Sequence, residues 1–107
     1  VEVIENIQSL NYRNLHIVFG VVNDKSLDGI LKLLPVEANY YFCKADIPRG
    51  MPAHELAQKA AVFQLKGDFF HSVKSALDAA KQQADTEDLI FIGGSTFVVA
   101  EVLNIES

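Results

Sequence analysis

Residues 89–103, LIFIGGSTFVVAEVL, put two glycines and a serine between a short apolar run and a helical pattern. The run at 89–92 reads as a buried strand, Gly93 and Gly94 permit a tight turn, and Ser95 is placed to cap a helix from Thr96 onward. Free backbone N–H groups, a hydroxyl and the positive end of a helix dipole then meet at one point, which is chemistry for holding an anion. A purely structural turn uses the same small residues, so Ser95 reads either as a cap or as a ligand contact. Two other polar segments carry cations: Asp24 and Lys25 in NDKS at 23–26, and Arg49 in ADIPRGMP at 45–52. Arginine suits bidentate recognition of carboxylate or phosphate. Lys25 beside Asp24 reads equally as a solvated pair, and Asp46 either orients the Arg49 guanidinium or starts a turn.

Positioning these residues falls to alternating elements. Residues 1–10, VEVIENIQSL, carry Val3, Ile7 and Leu10 at helical spacing. The chain is therefore expected to start inside an element, as a fragment whose preceding strand and larger partner domain lie upstream. Residues 14–22 are rich in β-branched and large apolar side chains, as suits a strand covered on both faces. A polar turn at 23–26 follows. Leu27, Ile30, Leu31 and Leu34 then mark a helix that Asp24 or Ser26 caps and Pro35 ends. A second strand is expected at 40–44. The next helix should begin near Pro52, bury Leu56, Ala60 and Phe63, and stop at Gly67. Another carries Val73, Ala76, Leu77, Ala80 and Ala84, while 66–70 holds either a vestigial strand or only a turn. This alternation is that of right-handed βαβ crossovers, and predicts an α/β fold: a three-layer αβα, Rossmann-like domain on a mostly parallel sheet. Loops 23–26, 46–50 and 93–96 then share the carboxyl edge, where such sheets bind ligands. Asp85, Glu87 and Asp88 fall at the opposite edge and read as a solvated turn.

Composition narrows the function. With 107 residues, half of them hydrophobic, the chain is long enough for one domain with its own core. A net charge of -5 and only two arginines, Arg13 and Arg49, argue against binding a nucleic-acid backbone. The apolar runs fall far short of the roughly 20 residues that cross a bilayer. The lone Cys43 forms no internal disulfide, so a cytoplasmic setting is the simplest expectation. Cys43 with His54 would be a nucleophile and base, but an inert buried thiol is the stronger reading. His16, His54 and His71 lack metal-ligand spacing, so no metal site is expected. No lysine follows Gly93-Gly94-Ser95 as in a P-loop, so a half-site fits better than a complete ATP site.

Three motifs in order carry a resemblance: Gly20, Asp24 and Lys25 in G-x-x-x-D-K; Ala45, Pro48, Arg49 and Gly50 in an A-x-x-P-R-[AG] loop; and Gly94, Ser95, Val99, Ala100 and Glu101 in a G-S loop followed by V-A-E. From about Val1 to Leu103 the chain resembles the carboxyl-terminal domain of the Mur-ligase superfamily, in its folylpolyglutamate synthase/dihydrofolate synthase branch. The resemblance implies an ATP-dependent ligase that phosphorylates a folate or dihydropteroate carboxylate and lets the amine of L-glutamate attack the acyl phosphate. It implies that ATP and Mg2+ are bound mainly by an amino-terminal ATPase domain, that the carboxyl-terminal domain closes over it and helps bind ATP and position glutamate, and that the isolated fragment is inactive. It assigns Ser95 to the incoming glutamate, with Gly94, Lys25, Arg49 and Asp24 as further anion-binding residues. Thr96 and Phe97 stand where many relatives carry a histidine, and the aspartate and histidine of the family's entry motif would precede Val1. The alternative class is a non-catalytic anion- or nucleotide-binding regulatory module using the same edge. A serine hydrolase built on Ser95 lacks a recognisably placed histidine and acid.

Overall fold

The computed structural model describes residues 13–22, 27–48, 50–94 and 96–106, with the backbone alone at 96–97 and 104–106. The elements run β1 (Leu15–Gly20), α1 (Leu27–Leu31), β2 (Asn39–Phe42), α2 (Ala53–Val62), β3 (Gly67–Phe69), α3 (Val73–Gln83), β4 (Leu89–Gly94) and α4 (Thr96–Glu106). All four strands are parallel, in the order β3-β2-β1-β4. The helix expected at 1–10 and the turn at 23–26 lie outside the described residues.

Period-two alternation along β1 distributes its side chains to two cores. Leu15, Ile17 and Phe19 join Leu27 and Leu31 of α1 and Leu56 and Ala60 of α2. On the other face Val18 joins Tyr41, Val73, Ala76 and Leu77 of α3, and Val98 and Val102 of α4. Two helices therefore cover each face, which makes the three layers. Full burial of side chains such as Ile17, Phe42 and Leu56 contributes about 1.5–3 kcal/mol each. No helix among the described residues is long and apolar enough to cross a membrane.

Three local expectations change. Helix α1 stops at Leu31, and the Leu33 and Leu34 amides donate to Ile30 and Leu31, a tighter turn forced by Pro35, which disfavours helical backbone before it. Leu34 still reaches the core, at 5% exposure. Helix α2 ends not at Gly67 but at Val62, where Gln64 takes φ 64° and the Leu65 amide donates back to Ala60. Gly67 instead opens β3 beside Tyr40, so the segment at 66–70 does hold a strand.

The third change concerns Asp88, which belongs to no solvated turn. Its side chain is 2% exposed, and its Oδ2 lies 2.9 Å from His16 Nε2. The same oxygen accepts the Asp85 amide at 3.0 Å, and Oδ1 accepts from Asn14 Nδ2 at 3.4 Å. Those N–H donors, Asp85 first and His16 next, hold the Asp88 carboxyl below the usual range. With Nε2 donating to the carboxylate, a neutral His16 ring accepts the Tyr41 hydroxyl at Nδ1, 2.9 Å away. The amino edge of the sheet is thereby closed by paired side chains.

Candidate functional site at the carboxyl edge

At the other edge, β1 and β4 end side by side, Phe19 opposite Gly93 and Gly20 opposite Gly94. The winding reverses here: the chain steps from β1 to β2 to β3 on one side, then returns past both to β4 on the other. Open α/β sheets bind ligands outside the strand ends at such a reversal. Gly94 has φ +97°, and a Cβ there would overlap the Gly20 carbonyl oxygen. A Cβ on Gly20 would lie 2.6 Å from the Cys43 carbonyl oxygen and 2.9 Å from Val98 Cγ2. Glycine is therefore what lets β1, β4 and Val98 approach this closely at the strand ends. Gly93 and Gly94 are the last residues of β4 rather than a turn, and α4 starts at Thr96.

The loop after β2 is tied down at both ends. Gly50 forms an antiparallel bridge with Val22, and the Met51 amide donates to Val21 O at 2.9 Å. The Asp46 amide donates to Glu101 Oε2 of α4 at 2.7 Å, while Lys44 Nζ donates to Ile47 O at 3.2 Å. Of the residues singled out from the sequence, Gly94 ends β4 opposite Gly20; Asp24, Lys25, Arg49 and Ser95 lie outside the described residues. Their flanks are brought together: Val22 with Gly50, Gly20 with Gly94, and Asp46 with α4.

Beside this loop a cleft of about 420 Å³ is lined by Lys44, Ala45, Asp46, His71, Ser72, Lys74 and Glu101. A second, of about 490 Å³, shares Lys44 and His71 and adds His54, Phe69 and Phe70. Both carry mixed polar and apolar walls. Ser72 Oγ accepts the Ser75 amide at 3.1 Å and so caps α3, and Lys74 pairs with Asp78 at 2.8 Å.

Cys43 is the inert thiol of the stronger reading. It is fully buried, donates to Phe19 O at 3.7 Å, and burial, with the Glu101 charge second, pushes its pKa up to about 12. His54 is exposed on α2 and turns its ring edge to Phe69. Among the described residues no group of three or more His, Cys, Asp or Glu is placed to hold a metal ion. Sequence reasoning gave Glu101 and Lys44 no role; the V-A-E motif contained the first, but its partner lies 55 positions away.

The Mur ligase, glutamate ligase domain model matches residues 1–96. The chain belongs to this family. A probable bifunctional folylpolyglutamate synthase/dihydropteroate synthase of Haloferax volcanii is 36% identical over 99 residues, 89% of this chain and 12% of that protein. The glutamate ligase domain superposes on Escherichia coli FolC in complex with DHPP and ADP with a TM-score of 0.82 at 25% identity, covering 98% of this chain and 25% of that one. It also superposes on a bifunctional folylpolyglutamate synthase/dihydrofolate synthase with Mn, AMPPNP and L-glutamate bound, with a TM-score of 0.78 at 28% identity and the same coverage. The four-stranded parallel sheet with alternating helices is thus the glutamate ligase domain of FolC-type ligases, and the chain spans a quarter or less of the length of these relatives.

Proposed function

We propose that this chain is the single carboxyl-terminal domain of a longer two-domain ligase that joins L-glutamate to a folate or dihydropteroate carboxylate through an acyl phosphate. The match of the glutamate ligase domain model to residues 1–96 carries the reading, and the glutamate-bound relative supports it. In this account Ser95, Gly94 and Lys25 bind the anionic glutamate, Asp24 caps or orients Lys25, and Arg49 adds a cation in the loop whose flank, Gly50, is bridged to Val22. The chemistry fits: a helix start and two cations suit an anionic substrate. ATP and Mg2+ belong in this proposal to the upstream domain. The isolated domain is inactive and the setting cytoplasmic.

What this domain supplies is orientation. Holding an amine against an acyl phosphate recovers up to about 7–11 kcal/mol of the barrier to a bimolecular encounter. Closure over the partner domain also keeps water from the acyl phosphate. The test is phosphate release by the longer protein with ATP and magnesium. Release that needs both a pterin substrate and L-glutamate is expected, with none from this chain alone. Release independent of glutamate would refute the reading.

A further inference from the structure

We propose that Glu101 is a positioning residue for glutamate: its carboxylate latches the arginine-bearing loop to the helix that follows Ser95. The bond is direct, Asp46 N–H to Glu101 Oε2 at 2.7 Å, and a charged acceptor makes it about twice as strong as a neutral one. Glu101 lies on the second turn of α4, and Val98, three residues earlier on that helix, packs at Gly20 where β1 ends beside β4. Asp46 opens the loop whose far end, Gly50, is bridged to Val22. Lys44 holds the middle of the same loop through the Ile47 carbonyl. Asp46, Ile47 and Gly50 are therefore each tied, and the Glu101 bond is the charged tie of this loop to α4, beside the apolar packing of Ala45 and Ile47. Without that bond the loop keeps its tie to β1 and its apolar packing but loses the hydrogen bond that sets Asp46 against α4.

This rests on the glutamate-ligase reading, and two measurements separate the failure of one from the failure of the other. In this chain, Glu101→Ala should speed solvent exchange of the Asp46 amide at least about tenfold while leaving the sheet amide of Cys43 unchanged, and Glu101→Gln, which keeps an acceptor oxygen, should restore most of the protection. Unchanged Asp46 exchange in Glu101→Ala overturns the latch, whatever the activity. Equal acceleration at Cys43 means global loosening and overturns it too. In the longer protein, once glutamate-dependent phosphate release by the wild type is established, Glu101→Ala should raise the glutamate KM about tenfold with the ATP KM within about twofold, and Glu101→Gln should recover most of the loss. A glutamate KM unchanged, or an ATP KM raised equally, overturns the positioning role. A wild type without glutamate-dependent release refutes the ligase reading and leaves the exchange measurement standing.

Discussion

The two edges of one sheet treat their polar groups in opposite ways. At the amino edge, Asn14, His16, Tyr41, Asp85 and Asp88 bond to one another across β1, β2 and the approach to β4. At the carboxyl edge, glycine backbone meets glycine backbone, and the charged side chains Lys44 and Glu101 are used to hold a loop from outside. A polar group whose partners are all internal contributes stability and has nothing left for a ligand. Under the proposed function, stability chemistry and binding chemistry are separated by the length of a strand, and His16, with both ring nitrogens paired, lies at the edge away from the substrate.

The comparison can be broken at either edge. The largest effect is expected at Gly94: its positive φ and the overlap of any Cβ with the Gly20 carbonyl mean that Gly94→Ala costs about 3 kcal/mol, read by denaturant unfolding. A variant as stable as the wild type would show that the strands need no close approach there. Next, His16→Phe leaves the Tyr41 hydroxyl without its buried partner and should cost about 2 kcal/mol, with folding otherwise retained. Smaller still is a pH effect at Asp88. Because its carboxyl is held low in the fold, its contribution is complete above the ordinary carboxylate pKa of about 3.9 and is lost as the pH falls through the lower folded value. The stability gap between wild type and Asp88→Asn should therefore narrow as acid is added below about pH 4. A gap independent of pH would remove Asp88 from the network.

Periodicity made the strands and helices legible because β1 feeds two cores and, His16 apart, is built of apolar residues and a glycine. The carboxyl edge was legible for the same reason: parallel strands with helical crossovers bring the ends of β1, β2 and β4 to one side. Local chemistry was less so. Gln64, rather than Gly67, takes the left-handed position after α2, since a tertiary strand pairing with Tyr40 claims Gly67 for β3. Gly93 and Gly94 extend β4 because β1 offers partners as far as Gly20. The bonds from His16 to Asp88 and from Asp46 to Glu101 span 72 and 55 positions, and no local pattern encodes such pairs.

The most direct test of the division between edges is the glutamate dependence of Ser95→Ala in the longer protein, measured beside Lys25→Ala. Each should raise the glutamate KM about tenfold and leave the ATP KM within about twofold, as loss of a contact to one substrate requires. A glutamate dependence unchanged in both variants would contradict the account and move the glutamate site away from this edge.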